Sequence, residues 1–124
     1  ALDTTVQRHV AAQITQYDDD TTKSYLANER DAAALSSGDP SRIALSLDRQ
    51  EAAIADYGKR NGFSKERVDQ TTAEAKSQTH RSVLERMIAN GDPRAEAYAD
   101  AVVEEYRVLD SGLLRAAGPR REAS

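Results

Sequence analysis

The chain has 124 residues, a net charge of −4 and no cysteine. That bounds it to one domain or one segment of a longer protein, and it excludes disulfides, thiolate metal sites and cysteine catalysis. Leu, Ile, Val and Phe supply only 21 residues and alanine another 21, which points to long, thinly apolar helices, because alanine favours helix at almost no side-chain entropy cost.

The charge is evenly spread. Residues 1–62 carry 7 Lys and Arg against 10 Asp and Glu, and residues 63–124 carry 10 against 11. Neither half forms the basic surface that tracks phosphates, so no direct nucleic-acid binding is expected. No apolar run approaches the roughly 20 residues that cross a bilayer, and no signal peptide is visible. The sequence begins at Ala1 rather than Met, which suggests processing or a fragment.

The first predicted helix, over about 4–36, opens at Thr4 with Gln7 as a capping box and sets Val6, Val10, Ile14 and Tyr17 on one apolar stripe. Its weak point is Asp18-Asp19-Asp20 with Thr21 and Thr22, residues of low helix propensity. A break near Asp20 stays open, although Asp19 and Lys23 are spaced for an ion pair along a continuous helix. The three acids read as a solvated face, since calcium loops alternate their ligands and place a glycine at the turn.

Gly38-Asp39-Pro40 ends this helix and starts the next. Glycine suits the position just past a helix, aspartate caps free N–H groups, and proline is at home in the first turn. The second helix, about 40–60, carries Ile43, Leu47, Ile54 and Tyr57. At the next corner Asn61-Gly62 supplies a left-handed cap and Ser64 an N-cap, with Phe63 and Val68 placed as a hydrophobic staple. The third helix, about 65–90, carries Val68, Ala75, Val83 and Met87, and Gly91-Asp92-Pro93 repeats the first corner 53 residues on. The fourth helix, about 93–110, carries Ala95, Tyr98, Val102, Tyr106 and Leu109.

These elements predict an all-α fold: four helices in two helical hairpins over residues 1–112, extendable into a helical array. The 53-residue offset hints at a duplicated hairpin, with Ala44 matching Ala97 and Glu51 matching Glu104. Residues 113–124 form a tail expected to be mobile, because Gly118-Pro119 ends any helix and Arg120-Arg121 has nothing apolar to bury beside it.

Catalytic chemistry finds no footing here, and no catalytic, cofactor-binding or metal-ligating residues are expected. His9 and His80 stand singly on separate helices, where a surface or half-buried role is expected of each, and no nucleophile has a base beside it. The tyrosines on the stripes read as amphipathic core or interface residues. Tyr25, Leu26, Val103 and Leu113 lie off the main stripes and are the candidate protein interface.

From Leu45 to Tyr106 the pattern is Glu-Ala-Ala-Ile on one helix, an Asn-Gly-Phe-Ser corner, Ala-x-Ser-x-x-His ahead of Val-x-x-Arg-Met on a long helix, and Asp-Pro-Arg-Ala-x-Ala-Tyr opening the next. This resembles the helical stretches of the large internal virion proteins of tailed bacteriophages, DNA-ejection proteins often fused to a lytic transglycosylase domain. The elements that carry over are Asn61, Gly62, Phe63 and Ser64 at the corner, Asp92, Pro93, Arg94, Ala95 and Tyr98 at the helix opening, and Ser77, His80 and Arg86 in mid-helix. The transglycosylase's glutamate has no counterpart. The resemblance implies a non-enzymatic structural segment located in the virion, homo-oligomeric or assembled with sister virion proteins, with peptidoglycan cleavage belonging to another part of a longer polypeptide. The alternative is a small cytoplasmic helical adaptor that binds one protein partner.

Overall fold

The structure, a computed structural model, describes residues 3–116, with side chains as far as Arg107. It is all-α: α1 (Thr4–Leu35), α2 (Pro40–Arg60), α3 (Lys65–Ala89) and α4 (Ala95–Ala116), with no strand among the described residues. The chain divides into two compact units, Ala1–Arg86 and Met87–Ser124. α1 is unbroken through Asp18–Asp20. Only the backbone of α4 is described beyond Arg107, so Leu113 and the expected tail from 113 fall in a stretch without described side chains, and 117–124 lie outside the described residues.

Local cap chemistry sets the helix ends. Asp3, not Thr4, is the N-cap of α1, its carboxylate accepting from the Thr5 N–H at 3.2 Å. A carboxylate one residue earlier serves the first turn directly, which leaves the Thr4–Gln7 box unused. Asp39 caps α2 as expected, accepting from the Ser41 and Arg42 N–H groups at 3.1 and 3.2 Å, with Pro40 in the first turn. Ser64 Oγ accepts from the Arg67 N–H at 3.1 Å and opens α3.

The two Gly-Asp-Pro corners differ in geometry. Gly91 has φ +66, whereas Gly38 is not left-handed; α1 instead ends at Ser36, whose N–H reaches the Ala32 and Ala33 carbonyls. Pro93 precedes α4 inside a turn closed by the Ala95 N–H on the Asp92 carbonyl at 3.2 Å, and the helix starts at Ala95 rather than at Pro93. Asp92 accordingly bonds within the turn and not to the first turn of α4, accepting from the Arg94 N–H at 2.9 Å and from its guanidinium at 2.8 Å. The geometry that does repeat belongs to Asn-Gly. Gly62 has φ +68, and the Phe63 N–H bonds back to the Gly58 carbonyl at 2.9 Å. After Gly91 the Asp92 N–H bonds back to the Met87 carbonyl, again at 2.9 Å. Both are helix ends closed by a glycine in the left-handed region and a six-residue loop of hydrogen bonding.

In the first unit α1 and α2 pack as an antiparallel hairpin, and α3 joins them through a core that is partly polar. Ala33, Ile43, Ile54 and Val83 are its buried apolar members, while Ser46, Gln50 and Thr79 are buried just as deeply. Ser46 Oγ donates to the Glu29 carbonyl of α1 at 2.7 Å. The Gln50 amide donates to Thr79 Oγ1 at 2.8 Å and lies 3.3 Å from Ser46 Oγ. Thr79 Oγ1 in turn lies 3.2 Å from the Gln50 carbonyl oxygen and 2.9 Å from the Ala75 carbonyl. One line of polar atoms thus crosses all three helices, each within hydrogen-bond reach of a partner, with the single Thr79 hydroxyl proton shared between the Ala75 carbonyl and the Gln50 carbonyl oxygen.

The corner after α2 is tightly made. A Cβ on Gly58 would lie 2.6 Å from Val68 Cγ2 and 3.3 Å from Phe63 Cβ, so the staple closes over a residue that has to be small. The Phe63 ring meets Tyr57 edge-on at 5.4 Å and carries the Arg67 guanidinium 3.7 Å from its centroid. In the second unit, burial pushes the Tyr98 phenol up to about 12, with Glu105 and Tyr106 adding to the effect, and the Tyr106 hydroxyl is buried without a hydrogen-bond partner.

Candidate protein-docking surface

α1 is two half-helices with different sides in use. From Thr22 onward it turns Thr22, Leu26, Glu29 and Ala33 inward. From Asp3 to Tyr17 every residue is exposed, including the apolar stripe, where Val6 and Val10 are 44% exposed, Ile14 64% and Tyr17 74%. At about 100° per residue the stripe is centred roughly 140° around the helix from the inward face of the second half. The stripe expected in the core is therefore a surface.

The boundary between the halves is fixed by a polar clasp rather than by a solvated acidic face. Arg60 donates to the Asp18 carboxylate through Nη2 at 2.8 Å and Nε at 3.3 Å, and Asn61 Nδ2 donates to it at 3.2 Å. The Tyr57 hydroxyl donates to Asp19. The Arg60 guanidinium holds the Asp18 carboxyl below its ordinary value of 3.8, and the hydrogen bond to Asp19, helped by desolvation, raises the Tyr57 phenol above 10.0. Two of the three acids thus pin the middle of α1 to the last turn of α2. The third, Asp20, accepts from Gln16 at 2.9 Å and stays on the exposed side.

Two open clefts flank the clasp. One, of about 410 Å³, runs between α1 and α2 over Ala52 and Ala53, with Tyr25, Arg49 and Asp56 at its rim. The other, of about 390 Å³, lies beside the stripe, between Ile14, Tyr17 and Thr21 of α1 and Arg60 and Asn61 at the end of α2. Among the described residues no three His, Asp or Glu side chains gather as a metal ion would require, and no helix is long and apolar enough to cross a membrane.

Of the interface residues read from the sequence, Tyr25 is 40% exposed on the first cleft and Val103 is 59% exposed on α4. Leu26 is half-buried on the side of α1 that turns inward. His9 is exposed, while His80 is buried, more deeply than the surface or half-buried role expected of it. What sequence reasoning missed is the stripe itself as a surface, the clasp, and the buried Gln50–Thr79 pair. Period-3.6 apolar spacing reveals that a helix has an apolar side but not whether another helix of the same chain reaches it.

Comparison with known protein families, with curated proteins and with solved structures returned no match.

Proposed function

We propose that this chain is a non-catalytic helical segment of a bacteriophage virion protein that serves DNA ejection into the host, acting by helix-on-helix assembly with copies of itself or with sister virion proteins. The observation that carries the reading is the bare apolar stripe on the first half of α1. A helix of about 14 residues with every one of them exposed is marginal in water, so a chain that holds such a helix outward is suited to receiving a partner along it. The polar groups support the same reading: Asp18, Asp19, Tyr57 and Arg60 are occupied with one another in holding α1 to α2. A second reading, the cytoplasmic adaptor, draws on the cleft over Ala52 and Ala53, which is wide enough to seat side chains of a single partner.

Mass spectrometry of gradient-purified particles separates the two. The proposal expects peptides of this chain in intact particles and their depletion from particles triggered to eject their DNA. Peptides confined to the soluble fraction of the infected cell would overturn it in favour of the adaptor.

A further inference from the structure

Resting on the reading of α1 as an assembly element, we infer that the occupant of the stripe is a second copy of the same stripe, packed antiparallel about a two-fold axis near Ile14 and Thr15. The charge pattern selects the copy and its direction. Asp20 closes the exposed half on the flank of the stripe and His9 lies near its start on the same flank, while Asp18 and Asp19 are held in the clasp and Arg8 lies on the opposite side. Antiparallel pairing sets the His9 end of each copy beside the Asp20 end of the other and opposes the two helix dipoles.

The flank of the stripe fixes the register. At about 100° per residue, His9, Gln13, Gln16 and Asp20 run along one edge of it. An antiparallel two-fold puts that edge against itself, so His9 of one copy meets Asp20 of the other and Gln13 meets Gln16. An imidazole N–H donates to a carboxylate, and paired glutamines satisfy each other, so this edge closes without an unmatched charge. In the same register Val10 of the second copy comes opposite Tyr17 and Thr21, at the mouth of the 390 Å³ cleft.

The area is sufficient. With exposures of 44–74% the four apolar side chains offer about 300–400 Å² per copy, and with the amide flank the pair buries on the order of 1,000 Å², the lower bound for a specific interface. An anionic membrane is the poorer partner, because the exposed half carries Asp3 and Asp20 against Arg8 alone as a fixed cation.

Sedimentation equilibrium on the full chain tests this. The wild-type chain is expected as a dimer at tens of micromolar, with Ile14→Asp weakening it by about a hundredfold or more and leaving helicity unchanged, because Ile14 touches no core. Arg8→Glu, on the side opposite the stripe, leaves the dimer within about threefold, since an exposed charge far from the seam is screened. Since the chain has no cysteine, His9→Cys combined with Asp20→Cys should oxidise to a covalent dimer, and Asp20→Cys alone should not. A wild-type monomer at several hundred micromolar, a dimer insensitive to Ile14→Asp, or cross-linking through Asp20→Cys alone would overturn the inference. So would a monomer whose stripe binds phosphatidylcholine–phosphatidylglycerol vesicles and loses them with Ile14→Asp. A monomer found in intact particles and depleted on ejection would refute the pairing and leave the virion role standing; a dimer absent from particles would do the reverse.

Discussion

Replacing Thr79 with Val keeps the shape of a fully buried side chain and removes one oxygen. Thr79 Oγ1 is the donor within reach of the Gln50 carbonyl oxygen, at 3.2 Å, and the nearer acceptor of its amide, at 2.8 Å. Without it the Gln50 amide retains Ser46 Oγ at 3.3 Å, but its carbonyl oxygen is stranded in a site where Gln50 is only 2% exposed. Stranding one buried acceptor costs about 1–3 kcal/mol. Gln50→Leu is the gentler change, because Thr79 Oγ1 still reaches the Ala75 carbonyl at 2.9 Å and Ser46 Oγ still donates to Glu29 at 2.7 Å. Its cost should stay below about 1 kcal/mol, and the double variant should be more stable than Thr79→Val alone, since removing both partners leaves nothing unpaired. Urea unfolding of the four proteins closes the cycle, with a coupling of about 1 kcal/mol or more expected between the two sites. Equal, additive losses would refute the view that these side chains satisfy each other across α2 and α3.

Gly58→Ala should destabilise by about 1–2 kcal/mol despite the gain in helix propensity, because the new methyl would press on Val68 Cγ2 with Phe63 behind it, and thermal unfolding would report it. At the first Gly-Asp-Pro corner, Asp39→Ala should cost about 1 kcal/mol through two lost cap bonds and Pro40→Ala about 0.4–1 kcal/mol through unfolded-chain entropy, an order that denaturant titration checks. The clasp should work only between two pH limits. Asp18 titrates below its ordinary 3.8 when folded, so its contribution is present above 3.8 and is lost as pH falls through the lower folded value. Tyr57 titrates above 10.0 when folded, so its contribution is present below 10.0 and is lost as pH rises through the raised value. The melting-temperature gap between wild type and Asp18→Asn should therefore close on the acid side and that for Tyr57→Phe on the alkaline side; gaps independent of pH would contradict the assignment.

The corners were legible in the sequence because their physics is local. Asp39, Ser64, Asn61-Gly62 and Gly91 act on backbone groups within six residues of themselves, and each does the work its type and position suggested. Gly38 and Pro93 share that local vocabulary, yet each sits in a different turn from its counterpart, since the same tripeptide is compatible with more than one way of leaving a helix. The apolar spacing of α2 identified Ile43 and Ile54 because the side that carries them is the side α1 and α3 cover. In α1 the same spacing misled, since the covered face is set by where α2 lies, and α2 reaches only the second half. Gln50, Thr79 and the Asp18–Arg60 pair were illegible for a related reason: partners 29 and 42 residues apart become partners only when the helices are already packed. The assembly surface was expected at Tyr25, Leu26, Val103 and Leu113, off the stripes, on the premise that every stripe is core. Once the first half of α1 is seen bare, that premise fails for the helix it was most needed for.

The central claim, that the first half of α1 is held out for a partner, is most directly tested by hydrogen exchange read peptide by peptide over a hundredfold range of protein concentration. Fast exchange is expected across residues 4–17 in dilute solution, because every residue of that half-helix is exposed, with protection there that grows with concentration. Amides around Ile54 and Val83, buried in the core, stay protected throughout. Equal protection of residues 4–17 at every concentration, in a chain that stays monomeric across the range, would contradict it.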